Sequence, residues 1–158
     1  MPELPDITIY IEALEARTLG HTLERVRFAS PFLLRTVDPP VKDAEGRRVV
    51  ALRRIGKRIA FAFDNGVAMV IHLMIAGRLH WRKAGAAIPG GKRGLAAFDF
   101  DNGTLILTEA GTRKRASLHM TRGDAGLDAL DPGGMDVMAA TPEQFRAVLT
   151  AENHTLKR

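Results

Sequence analysis

Proline directly after an initiator methionine, with a carboxylate next in line, puts an unusual reactive group at the head of this 158-residue chain. Methionine before a small residue is usually removed after synthesis, and the terminus left by Met1-Pro2-Glu3 is then a secondary amine on a rigid ring. Unlike any side chain, it can form an iminium directly with an aldehyde carbon. With an α-amino pKa of roughly 7.7 to 8.0, on the order of a tenth of such an amine is unprotonated near neutral pH. Glu3 beside it can accept and return protons. If Met1 is retained, Pro2 carries an amide nitrogen without a usable lone pair and the form is inert.

The rest of the chain offers no equally sharp reactive group. There is no Cys, which excludes a disulfide framework and any thiolate chemistry, and the five His are scattered without close pairing. No resident metal or other cofactor is therefore expected within these residues. His72, His80, His119 and His154 read as strand or helix residues with hydrogen-bonded rings, and Trp81 reads as core.

Positioning the terminus falls first to a helix over residues 5–19, where Ile7, Ile11, Leu14 and Thr18 recur at helical spacing beside Tyr10 and Gly20 provides the stop. The period then drops to two. Leu23, Val26 and Phe28, then Val49 to Leu52, Ile59 to Phe63 and Val67 to Ile71 predict strands, resuming through Leu95 to Phe100, Thr104 to Glu109 and Ala116 to Met120. Two copies of F-x-F-D-N-G, at 61–66 and 98–103, predict hairpins, because Asn-Gly accepts the positive φ of tight turns. Residues 84–94 (AGAAIPGGKRG) predict a mobile loop, and Asp131-Pro132-Gly133-Gly134 breaks the chain. Thr141-Pro142-Glu143-Gln144 combines a capping Thr, a Pro at the first helical position and a Gln able to close a capping box, so a helix follows from 142 to about 152. The order predicts a mainly β protein, a two-layer antiparallel β-sandwich or barrel with a helix at each end.

Charge narrows the partner. Residues 51–122 hold 13 basic and 4 acidic groups, a net of +9, while the flanking segments 1–50 and 123–158 net −1 and −3. Arg supplies 17 of the 23 cations, and its planar fork matches phosphate oxygens in pairs. A polyanion is implied, with nucleic acid ahead of a membrane because no basic amphipathic helix is evident. The clusters Arg113-Lys114-Arg115 and Lys92-Arg93 are candidate phosphate contacts. No apolar run approaches the roughly 20 residues of a membrane span, and the acidic start MPELPDIT does not resemble a secretory signal. A cytoplasmic protein is expected.

The start MPELPDI resembles the MPELPEV of bacterial formamidopyrimidine-DNA glycosylases, and LRRIGKR and HLMIAGRL are similar to two further motifs of that family at conforming distances. The resemblance implies a β-sandwich catalytic domain over 1–140, followed by the start of a helical DNA-binding module at 141–158. It implies excision of oxidised bases from double-stranded DNA by a monomer, then strand cleavage at the abasic site, with zinc only in a part beyond this chain. By the same resemblance Pro2 attacks the anomeric carbon, Glu3 protonates the sugar ring oxygen, and Lys57 grips a phosphate beside the lesion, with Arg58 next to it. The side chains that fill the space of an extruded base map here onto Ile75, with Met74 one residue early, and onto the 110–115 loop. There the family's D-P-R-R-F-G falls on residues 110–115, so Arg113 keeps a role while the aromatic wedge is replaced by a cation, Lys114, with Arg115 after it. Asp6 replaces the family's commoner Glu with a shorter side chain.

Two other readings remain open from the residues. A damage-sensing module could keep the scaffold and lose excision, and a terminal proline could act as a base, as in small tautomerases, although those chains have no reason for a +9 block. The chain stops abruptly after a helix, at Asn153 to Arg158, which predicts a truncated protein with weak DNA binding.

Overall fold

The computed structural model describes residues 2–151. The stretch from Asn153 to Arg158, read above as the start of a further module, lies outside the described residues. Helix α1 runs Leu4–Thr18, one residue ahead of the expected span, and buries Ile7, Leu14 and Thr18 along one stripe, with Tyr10 and Ile11 partly buried beside them. Pro5 lies in the first turn, where a missing N–H costs nothing. Asp6 Oδ2 accepts the Glu3 backbone N–H at 2.8 Å, which fixes the helix entry. At the other end Gly20 adopts φ 80 and its N–H bonds to Val49 O at 2.8 Å.

Eight antiparallel strands follow: β1 Thr22–Phe28, β2 Arg47–Ile55, β3 Arg58–Phe63, β4 Val67–His72, β5 Gly77–Arg82, β6 Gly94–Phe100, β7 Gly103–Glu109 and β8 Ser117–Arg122. They form one hydrogen-bonded sheet in the order β5-β7-β6-β1-β2-β3-β4-β8. The β1–β2 contact is only two residues long, Thr22 to Arg48 and Leu23 to Arg47, and the sheet folds over at that corner. Its halves become two layers, as the alternating pattern predicted. Phe61 of β3 meets Phe100 of β6 across the interior at 6.4 Å between ring centroids, and Trp81 of β5 meets Phe100 at 5.9 Å. Trp81 is thus a core-lining residue. The open edge at β8 is covered by the segment 33–36, where Leu118 and Leu33 and then Arg35 and Leu118 exchange backbone bonds.

Both F-x-F-D-N-G segments form hairpins, but their glycines serve different ends. Gly66 takes the left-handed φ of 77 that the turn requires. Gly103 is already in β7, paired with Phe100, and a Cβ there would sit 2.4 Å from the Trp81 ring. Its role is close packing rather than a turn. Residues 84–93 contain neither helix nor strand, and they fold back across the outer face of β5, β7 and β6.

A short helix, α2 Gly123–Asp128, was not expected from the sequence. It lays Leu127 against Ile55, Ala60, Ala68 and Val70 on the outer face of the β2-β3-β4-β8 layer. A Cβ on Gly126 would fall 1.8 Å from Thr121 Oγ1, so only glycine allows this approach to β8. Helix α3, Pro142–Ala151, starts with the predicted reciprocal cap: Gln144 N–H donates to Thr141 Oγ1 and Thr141 N–H to Gln144 Oε1. It buries no residue, and Phe145, Val148 and Leu149 are exposed.

Candidate active site

Strand register gathers the candidate residues. Arg58 at the start of β3 stands opposite His72 at the end of β4, which stands opposite Ser117 at the start of β8. Gly77 at the start of β5 pairs with Glu109 at the end of β7. The turn at 56–57, the loop 73–76 and the loop 110–116 therefore leave the sandwich at one end, and α1 begins there too. Pro2 is buried, and the Glu3 carboxylate reaches Lys57 Nζ at 2.6 Å. The head of the chain is thus brought to the lysine on which the resemblance placed phosphate binding. Both partners of this pair are about half exposed, and an ion pair of that kind is worth at most about 1 kcal/mol. A phosphate can compete for the ammonium.

The turn that presents Lys57 is tightly set. Gly56 adopts φ 56, and a Cβ there would come 2.9 Å from Pro132 Cγ, so the Asp131-Pro132-Gly133 break packs on this turn. Arg54 pairs with Asp136 at 3.1 Å, and Arg58 Nη1 donates to Leu130 O at 2.8 Å. Arg58 is therefore half-buried and partly committed to the chain itself. Among the described residues, its Nε and His119 Nδ1 are buried without a hydrogen-bond partner.

Sequence reasoning gave His72 no role, yet it closes β4 at this end. Burial pushes its pKa below the ordinary value, and the nearby cations Arg58, His119 and Lys57 push it the same way. His119 is lowered too, by burial first and then by Arg58 and Arg35. The signal available in the sequence was His72's position at the head of HLMIAGRL, next to the loop. Because both folded-state values lie below the unfolded value near 6.5, the unfolded chain binds more protons as pH falls through that window. Stability is full above about pH 6.5 and declines with acidification. Thermal melts are expected to show Tm falling between pH 7 and 5.5, with a smaller fall in His119→Gln.

In the loop 73–76, Met74 is half-buried with φ 54, the only non-glycine at positive φ among the described residues, and Ile75 is exposed at the tip. Gly77 closes the loop: its N–H bonds to Leu73 O at 2.9 Å, and a Cβ would lie 2.3 Å from that oxygen. The 110–116 loop lies alongside, with Gly111 near Ala76. Arg113 and Arg115 are exposed on it, whereas the Lys114 ammonium turns inward onto Glu109 O and Gly111 O. Glu109, 1% exposed, anchors the loop by accepting the Arg115 N–H at 3.0 Å and the Ala116 N–H at 3.3 Å. Glu109→Gln would turn amide hydrogens towards these donors. A stability loss of about 1–3 kcal/mol is expected, read by thermal melting, with faster amide exchange at Arg115 and Ala116.

The arrangement can therefore present an amine, a carboxylate, a phosphate-sized cation and two short loops to one ligand. The model of the formamidopyrimidine-DNA glycosylase N-terminal domain matches residues 1–118, three-quarters of the chain. The chain belongs to that family. Curated formamidopyrimidine-DNA glycosylases are similar at 30% identity over 122 residues in Mycoplasma genitalium and 32% over 112 residues in Solibacter usitatus. These alignments cover 76% and 70% of this chain but 42% and 40% of those proteins. A relative from Carboxydothermus hydrogenoformans aligns along 99% of this chain at 27% identity and 57% of its own length. The chain thus spans about half the length, or less, of these formamidopyrimidine-DNA glycosylases.

Solved structures share the fold. A mutant Lactococcus lactis Fpg bound to DNA containing Fapy-dG superimposes with a TM-score of 0.71 at 23% identity, covering 81% of this chain and 46% of that one. The complex of Lactococcus lactis Fpg with abasic-site DNA gives 0.71 at 22% identity, with 81% and 47% covered. The formamidopyrimidine-DNA glycosylase match ends inside β8, so α2 and α3 lie beyond it. Among the described residues no group of three or more His, Asp and Glu is placed to hold a metal, and no helix is long and apolar enough to cross a membrane.

Proposed function

We propose that the chain is the catalytic domain of a DNA repair glycosylase with abasic-site lyase activity, acting through the Pro2 amine once Met1 is removed. The observation that carries this reading is the 2.6 Å contact between Glu3 and Lys57 beside the buried Pro2. It brings together at one end of the fold, in a chain of the formamidopyrimidine-DNA glycosylase family, the residues to which this reading gives the parts of nucleophile, proton carrier and phosphate contact.

The Pro2 nitrogen attacks the anomeric carbon of an extruded nucleotide, and the bond from that carbon to the base breaks. The base leaves with its electron pair and takes a proton from solvent. The proton on the attacking nitrogen passes to the Glu3 carboxylate, which delivers it to the ring oxygen as the carbon–oxygen bond opens, leaving an iminium to Pro2. Loss of a C2′ proton then expels the 3′ phosphate, a second elimination releases the 5′ phosphate, and hydrolysis of the imine returns the amine. A carboxylate is the form of Glu3 this sequence needs at the start.

Lys57, with His72, which stands opposite the neighbouring Arg58 in the β3–β4 register, meets the backbone phosphates next to the lesion. Extrusion of a base costs a few kcal/mol, and Ile75 and Met74, with Arg113 and Arg115 from the adjacent loop, occupy the space it vacates. Lys114 holds that loop in shape. Borohydride reduction of the protein incubated with abasic-site DNA tests the reading: a covalent adduct supports it, and its absence leaves a binding or damage-sensing module.

A further inference from the structure

The β5-β7-β6-β1 layer turns its cations outward in register. Arg78, His80 and Arg82 of β5 stand opposite Thr108, Ile106 and Thr104 of β7, and Arg25 and Arg27 of β1 stand opposite Asp99 and Ala97 of β6. The intervening rows, such as Trp81, Leu105 and Phe98, hold core side chains, so the cationic rows face away from the interior. Glu24, the extra residue at the β1 register shift, is exposed beside Arg25, and Asp99 is the carboxylate paired into these rows. Arg27 clamps it at 2.7 and 2.8 Å and Thr104 Oγ1 donates to it at 2.8 Å, so its charge is already neutralised.

The loop 83–93 adds to this face. Gly85 N–H donates to Thr104 Oγ1, Arg27 Nη2 donates to Ala86 O, and Arg93 borders a shallow cleft of about 240 Å³ with His80, Arg82 and Pro89. Arg25, Arg78, Arg82, Lys83, Lys92 and Arg93 are all exposed, and none makes an ion pair with a described residue. The other layer differs. There Arg53, Arg54 and Arg122 are matched by Asp124, Asp136 and Asp43, and only Arg47 and Arg48, side by side at the start of β2, are exposed without an ion pair to a described residue.

We infer that the outer face of the β5-β7-β6-β1 layer is a second nucleic-acid contact, a track for the sugar–phosphate backbone of duplex running on from the site end. Charge complementarity favours a polyanion over a neutral partner. Trp81 is turned into the core, so the face has no aromatic platform and engages backbone rather than bases. Outward residues along a strand recur every roughly 6.7 Å, placing Arg78 and Arg82 about 13 Å apart. Arg78 follows Gly77 directly, so the track begins at the loop that carries Ile75. The inference rests on DNA being the partner, as proposed above, and the test separates the two.

The test uses this chain and the triple variant Arg78→Gln, Arg82→Gln, Lys83→Gln, whose three side chains are exposed. Binding to an undamaged duplex of about thirty base pairs is measured by fluorescence anisotropy across a salt series, each lost phosphate contact lowering the slope of log K against log salt by about 0.9. The expected result is a slope reduced by about 2 to 3 and at least a tenfold loss of affinity. Borohydride trapping on a short abasic duplex of about ten base pairs, which cannot span the face, is expected to be unchanged at saturating DNA. An unaltered slope with trapping intact overturns the track and spares the glycosylase reading. Stronger competition from polyglutamate than from DNA overturns it in favour of an acidic protein partner. Absence of both duplex binding and trapping in the parent chain overturns both.

Discussion

Pro2→Gly is expected to abolish the borohydride-trapped adduct with abasic-site DNA, and a chain that keeps Met1 or is acetylated at Pro2 is expected to give none. The three forms fail for separable reasons. Retained methionine or acetyl makes the Pro2 nitrogen an amide, whose lone pair is delocalised and cannot add to carbon. Glycine still offers an amine, but a primary one on a freely rotating residue. It lacks the ring that is buried at the Lys57 end of the fold and that fixes the direction of the lone pair. Orientation of a reacting pair can be worth several kcal/mol of barrier, so a terminus that is chemically competent but loose falls to the background of surface lysines. Mass measurement of the purified N-terminus reports which form is present, and DNA affinity by anisotropy should change little in Pro2→Gly because Lys57 is untouched. An adduct that persists in the acetylated form would assign the nucleophile to a lysine and end the proposal.

The elements that position this terminus were readable from local pattern, because the period of the apolar residues changes cleanly at Gly20 and each hairpin has its own turn residues. What could not be read were features set by contacts between distant segments. Helix α2 has the sequence GDAGLD, poor in intrinsic helix preference, and it is helical because Gly126 permits a close approach to Thr121. Gly103 looked like a turn residue and instead makes room for Trp81, twenty-two positions earlier in the chain. The basic block read as one feature divides in space. Acids at Asp43, Asp124 and Asp136 pair with three arginines of one layer, whereas on the other Asp99 pairs with Arg27 and leaves Arg25, Arg78 and Arg82 without an ion pair to a described residue. In the site itself, Pro2 and Glu3 were legible from the chemistry of the terminus and Lys57 from motif resemblance, while the pull of Lys114 onto two carbonyls and the anchoring of its loop by Glu109 appear only once β7 and β8 are placed. Asp6 changes meaning in the same way: its carboxylate holds the Glu3 backbone, so a shorter acid at this position fixes the helix entry.

Glu3→Gln is expected to separate binding from chemistry in opposite directions. The amide cannot take the proton from the attacking nitrogen and return it to the ring oxygen, so base excision should fall about 10²- to 10⁴-fold, the usual range for a lost general acid–base group. Gln also cannot neutralise Lys57, whose ammonium now lies 2.6 Å from the carboxylate. Freed of that partner, the lysine meets phosphate without first breaking an ion pair, and affinity for abasic-site DNA should stay level or rise slightly, by a factor set by the at most about 1 kcal/mol of an exposed pair. Lys57→Ala is the counterpart: affinity falls and the salt slope drops by about 0.9, one phosphate contact. Trapping at saturating DNA should survive better in Lys57→Ala than in Glu3→Gln, since the carboxylate remains in place. The two activities also divide: a pre-formed abasic site is a hemiacetal that opens spontaneously to its aldehyde and needs less help with ring opening than an intact nucleotide, so Glu3→Gln should depress excision more than lyase cleavage. Equal losses of excision and DNA affinity in Glu3→Gln would instead mean that Glu3 serves only to hold Lys57 and the start of α1 in position.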